Sequence, residues 1–197
     1  TKKDEVGLVL FGTRETDNDL AAPGQYQNIS TVRQVMLPDL QLLRFIENSV
    51  VPSTHTACFV DALIAKAGTE FKTVPSRTFA MGHSNGGGFC YALWRFRSDA
   101  FAGFAPTAAK GSRYAGPAKP FYIVASRNDT IVPYAEQEAS FKDLIARMKM
   151  EEKGKQGSIT KYANPDGVRM EIYIDGGTHA FAKESVPGMV AFFRSLI

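Results

Sequence analysis

The chain has 197 residues, enough for one domain with a sizeable core, and its 44% hydrophobic and 22% charged content is ordinary for a soluble globular protein. A net charge of +3 with no Lys/Arg block gives no support to a nucleic-acid surface, and no apolar run approaches membrane-spanning length. The first five residues, Thr1-Lys2-Lys3-Asp4-Glu5, have neither a signal-peptide pattern nor an initiator methionine, which reads as a trimmed or mature chain of unspecified compartment.

In chain order, residues 6–11 form a buried-type strand ended by Gly12, and residues 13–30 are polar and turn-rich. Residues 31–37 alternate partly and predict a second strand, stopped by Pro38. Asp39 is placed to cap a helix carrying Leu40, Leu42, Leu43, Phe45 and Ile46, and residues 57–71 predict a second amphipathic helix. A short apolar strand at 78–81 leads into a helix-like stretch at 89–96. Strands at 102–105, 121–125 and 168–174 follow, with helices at 134–150 and 186–196. Residues 149–155, of mixed charge, read as a helix end and surface loop. Alternating strands and helices predict an α/β fold: a mostly parallel sheet of about six strands with helices on both faces, built as one domain over residues 1–197.

Between the strand at 78–81 and its helix lies Gly82-His83-Ser84-Asn85-Gly86, the G-x-S-x-G pattern of a nucleophile elbow. A serine on a sharp strand-to-helix turn is strained, and Gly82 and Gly86 are expected to relieve crowding around it. The turn exposes the hydroxyl and leaves the Asn85 N–H at a helix N-terminus, where it can meet an oxyanion. Asp129 and His179 each follow a strand pattern, so the order Ser, Asp, His matches that of α/β-hydrolases. At the carboxyl ends of parallel strands these three can converge, with His179 as base and Asp129 orienting it.

Simpler readings stand beside these. Ser84 could be an ordinary turn residue, Asp129 could cap the helix after Pro133, and Asp175 is a rival acid whose place before Gly176-Gly177 also suits a turn. Asp166, in Asn164-Pro165-Asp166-Gly167, reads as structural. Of the three histidines, His83 holds the sideways elbow position and His55 a polar loop, leaving His179 as base. Cys58 and Cys90 are two unclustered thiols: a disulfide between them is open but unsupported, metal binding is not expected without nearby His or Cys partners, and Cys90 reads as core. No cofactor is expected.

From about residue 59 to the end, the chain resembles the polyhydroxybutyrate-depolymerase and feruloyl-esterase-like branch of the α/β-hydrolases. The residues carrying this are Gly82 to Gly88, Phe101 to Pro106, Asn128 to Tyr134 and Gly176 to Phe181. The resemblance implies Ser84 as nucleophile, Asp129 as acid, His179 as base and a small ester as substrate. Residues 1–58 differ. Leu8 to Thr13, Thr16-Asp17-Asn18, Gln25 to Ile29, Met36 to Asp39 and, across the junction, Asp61 to Ile64 closely resemble the von Willebrand A-like domain of the larger subunit of the Ku DNA-end-binding heterodimer. The resemblance begins after that domain's first strand and excludes the DNA-encircling barrel, so no DNA binding is implied.

Two parentages in one chain are most simply explained by recombination or engineering. Both parents use a strand-helix-strand unit, which predicts strand 6–11 beside strand 78–82, with 31–37 next out as an antiparallel edge. In that arrangement Phe11-Gly12-Thr13-Arg14 stands where hydrolases supply the second oxyanion donor, and the N–H of Thr13 or Arg14 is the candidate. Losing such a donor costs ~3 kcal/mol. Three readings follow: a weak, unselective esterase; a chimeric scaffold with a vestigial triad; and a protein-interaction module using the Ku-like front. The sequence does not specify the oligomeric state.

Overall fold

A computed structural model describes residues 6–11, 29–36, 56–71, 77–111 and 114–197. The chain divides into two compact units, Thr1–Thr78 and Phe79–Ile197. The boundary falls later than the crossover near residue 58 that the two resemblances mark.

In the first unit, β1 (Val6–Phe11) and β2 (Ile29–Met36) pair antiparallel, with Val6 opposite Met36 and Phe11 opposite Ile29. Helix α1 (Thr56–Phe71) buries Val60 and Ala67, two turns apart on one face. The predicted helix after Asp39 lies outside the described residues.

The second unit holds a six-stranded sheet in the order β3-β4-β5-β8-β7-β6. Strands β3 (Phe79–His83), β4 (Gly103–Thr107), β5 (Phe121–Ser126) and β8 (Arg169–Asp175) run parallel to one another. Strands β7 (Ile159–Ala163) and β6 (Glu151–Gln156) extend it antiparallel beyond β8. Every residue of β4 and β5 is buried, as expected of central parallel strands covered on both sides.

Helices α2 (Asn85–Phe96), α3 (Tyr134–Arg147) and α4 (Val186–Arg194) complete the unit. Successive residues of β5 show how the layers are arranged. Phe121 packs on Tyr91 and Trp94 of α2, at 6.1 and 5.4 Å between ring centroids, whereas Tyr122 packs on Phe192 of α4 at 5.8 Å. Neighbouring strand residues point to opposite faces, so α2 and α4 cover opposite sides of the sheet. The α/β architecture is therefore as the sequence predicts.

Two expectations fail. Strand β1 does not belong to the sheet of β3: β1 and β2 form their own two-stranded sheet, and all six strands of the larger one come from the second unit. Residues 29–36 are antiparallel to β1 but are not the edge of the main sheet, whose outer strands are β3 and β6. The expected adjacency rested on the strand-helix-strand plan common to both parents, and a shared plan does not dictate a shared sheet. The second correction concerns residues 149–155. Helix α3 stops at Arg147, Lys149 turns with φ +54°, and Glu151 opens β6. A fully exposed strand has no hydrophobic alternation to betray it.

Candidate functional site

The elbow is set by β3, whose end feeds directly into α2. Ser84 adopts φ +57°, ψ −116°, a backbone conformation that costs a non-glycine residue on the order of 1–3 kcal/mol. Two hydrogen bonds hold it there: the Ser84 N–H donates to the Thr107 carbonyl on β4 at 2.9 Å, and the Gly88 N–H donates to the Ser84 carbonyl at 3.0 Å. A Cβ on Gly82 would strike the backbone carbonyl of Gly86. One on Gly86 would meet nothing within 4 Å, contrary to the expected crowding there. The second crowded glycine is Gly87, where a Cβ would lie 2.5 Å from the Ala109 Cβ and 2.7 Å from the Thr107 carbonyl oxygen.

The loops after β5 and β8 are laced together. The Arg127 N–H donates to the Asp175 carbonyl and the Asn128 N–H to the Gly177 carbonyl, both at 3.0 Å, while Asn128 Nδ2 donates to the Gly176 carbonyl at 2.7 Å. This lacing carries Asp129 to His179. Asp129 Oδ2 lies 2.9 Å from His179 Nδ1, and His179 Nε2 lies 2.8 Å from Ser84 Oγ. A carboxylate only accepts, so Nδ1 carries the proton and Nε2 presents a lone pair to the serine hydroxyl.

The rival roles sort themselves by atom. Asp129 Oδ1 accepts the Ile131 and Val132 N–H groups, both at 2.9 Å, so the same carboxylate caps its own turn and faces His179. The N-cap of α3 is Pro133. Asp175 Oδ1 accepts the Gly177 N–H at 2.9 Å, the turn role its sequence context suits. Burial raises the pKa of Asp129, but its bonds from His179, Val132 and Ile131 outweigh that and hold it below the ordinary carboxylate range.

Sequence reasoning missed three supporting residues. His83 Nε2 donates to the His179 carbonyl at 2.8 Å, and its Nδ1 accepts from Thr107 Oγ1 at 2.9 Å. Burial lowers the His83 pKa despite the backbone bond, favouring the neutral ring. Gln137 of α3 donates to Asp129 Oδ2 at 2.9 Å. Its sequence signal was a polar residue on the buried stripe of α3, with Ser140, Phe141 and Leu144. The contact of Thr107 had none, because it comes from sheet pairing alone.

A cleft of about 630 Å³ opens beside Ser84, lined by Asn85, Phe89 and Ala92 of α2 and by Tyr114, Val132 and Ala139 among others. Asn85 is the first residue of α2, so its N–H is among those the helix leaves without an internal partner. Thr13 and Arg14, the candidates for the second oxyanion donor, lie outside the described residues. Cys90 is free and buried, with its thiol pushed up to about 12, and offers no rival nucleophile. Among the described residues no group of three or more His, Cys, Asp or Glu side chains could hold a metal ion, and no helix is long and apolar enough to cross a membrane.

Comparison with known proteins separates the two ends of the chain. The Ku70/Ku80 N-terminal alpha/beta domain matches residues 1–63. The X-ray repair cross-complementing protein 5 of Xenopus laevis is 56% identical over 62 residues, and that of Dictyostelium discoideum 40% over 63. Each match spans 32% of this chain and 8% of the relative. Among solved structures, a Bacillus cereus carboxylesterase aligns with a TM-score of 0.52 at 19% identity, covering 71% of this chain and 59% of that one. An acetyl xylan esterase from Aspergillus awamori aligns at 0.53 and 10% identity, covering 68% and 66%. At such identities the likeness shows the fold alone. The chain thus begins with a Ku-like segment and otherwise has the α/β fold found in solved esterases.

Proposed function

We propose that the unit Phe79–Ile197 is a serine hydrolase acting on small carboxylic esters, and that the whole chain is a recombined or engineered fusion of a Ku-like segment with a hydrolase-like one. The observation carrying the first part is the unbroken run from Ser84 Oγ through His179 to Asp129, at 2.8 and 2.9 Å, on a strained elbow.

The chemistry follows from the proton positions. His179 Nε2 takes the hydroxyl proton as Ser84 Oγ bonds to the acyl carbon, and Asp129 stabilises the imidazolium so formed. The carbonyl oxygen gathers negative charge against the Asn85 N–H. His179 then returns the proton to the departing alkoxide, leaving an acyl-serine. Water, activated by the same base, releases the acid and restores the hydroxyl. The cleft beside Ser84 holds the substrate, and no cofactor takes part.

The test is a fluorophosphonate probe followed by turnover of an activated ester. Labelling at Ser84 and turnover lost in Ser84→Ala are the expected results. Folded wild-type protein that takes no label would leave the fusion as a scaffold with a vestigial triad. The Ku-like match favours a third reading for the front of the chain, a protein-interaction segment, which a pull-down with and without residues 1–63 would decide.

A further inference from the structure

We propose that Gln137 is a positioning residue that governs how tightly Asp129 holds the proton of His179; this rests on the hydrolase reading above only for its catalytic consequence. Gln137 is 2% exposed, and each atom of its amide is committed. Nε2 donates to Asp129 Oδ2 at 2.9 Å and to the Val132 carbonyl at 2.6 Å, while Oε1 accepts the Ser126 N–H at 3.4 Å. Two neighbours can only accept and one can only donate, so the amide has a single consistent orientation.

The consequence lies in how Asp129 is shared. Its Oδ1 is occupied by the Ile131 and Val132 N–H groups, which fix the carboxylate without help from α3. Its Oδ2 takes two donors, Gln137 Nε2 and His179 Nδ1. Donors on one oxygen compete for the same negative charge. Gln137 therefore weakens the pull of Asp129 on the imidazolium, keeping His179 ready to release its proton. Removing the amide leaves the carboxylate anchored through Oδ1 but concentrates its charge on His179. A carboxyl in its place, buried against Asp129, stays protonated and can still donate to Oδ2, so the glutamate variant keeps the sharing that the methionine variant removes.

Among the described residues, other ionisable groups nearby are few. His83 stands on the elbow side with its ring centroid 5.0 Å from that of His179. On the remaining elements, Glu136 of α3 is paired with Lys110 at 2.6 Å, and Asp175 is bonded to Gly177.

The experiment is proton NMR of the His179 Nδ1–H resonance in the full chain, in wild type, Gln137→Met and Gln137→Glu, with the signal assigned by its loss in His179→Asn. The resonance is expected to move downfield in Gln137→Met, where Asp129 Oδ2 keeps a single donor, and to stay near its wild-type position in Gln137→Glu, whose protonated carboxyl donates in place of the amide. An unchanged or upfield-shifted resonance in folded Gln137→Met overturns the proposal, and Gln137→Met decides alone if the glutamate variant does not fold. The readout needs no turnover. A chain with the expected downfield shift but no fluorophosphonate adduct on Ser84 would refute the hydrolase reading and leave the role of Gln137 intact.

Discussion

The two units carry opposite kinds of information. The first third of the chain reaches 56% identity to a Ku relative, yet its described structure is a two-stranded ladder and one helix. The solved esterases that align with 68 to 71% of the chain are under 20% identical to it, yet the second unit carries a six-stranded sheet and a hydrogen-bonded Ser-His-Asp run. Identity marks a shared sequence. The hydrogen-bonded run depends on a few atoms held at the right distances, which overall identity does not report.

The sharpest attempt to break this contrast is Asp129→Asn. An amide in place of Oδ2 keeps the shape but favours the wrong His179 tautomer, and turnover should fall by roughly four orders of magnitude. Ester hydrolysis that persisted near wild-type rate would mean that the geometry of the second unit does not carry the activity.

A smaller effect separates the glycines of the elbow. Gly82→Ala drives a Cβ into the Gly86 carbonyl and should cost at least ~2 kcal/mol, whereas Gly86→Ala points into open space and should stay within ~1 kcal/mol of wild type. Urea unfolding measures both. Trp94, the single tryptophan of the chain, is buried in α2 and makes fluorescence a probe of the second unit alone.

The mildest test is acidification. The depressed pKa of Asp129 contributes stability that is fully present above the ordinary carboxylate range, near pH 4, and is lost as pH falls through the lower folded value. Trp94 fluorescence should therefore show wild type losing more stability than Asp129→Asn between about pH 4 and pH 2. Parallel acid curves would assign the loss to other carboxylates.

Much of the second unit was legible because local pattern and tertiary role agree there. Phe121 to Ala125 is a continuous apolar run because β5 is buried on both faces, and Ser84 is marked by Gly82, where the turn leaves no room for a Cβ. The hairpin of β6 and β7 was hidden because Glu151–Gln156 has no buried face. Its one local signal was the turn, where Gly157 takes φ +58° beside Ser158, a pair suited to a two-residue hairpin loop. Gln137, His83 and Thr107 act across 8 to 96 residues of sequence, and no local pattern encodes such partners. The sheet assigned to β1 failed for a related reason, since strand adjacency is a tertiary choice that a common motif leaves open.

The hydrogen bond from Ser84 to Thr107 and those joining His83, His179, Asp129 and Gln137 all lie between β3 and the loop after β8. No member of that set comes from upstream of Phe79. The bonded set is therefore self-contained in sequence: a joint placed ahead of β3 severs none of these bonds, and Ser84, His179, Asp129 and their supports travel together on one continuous stretch of chain.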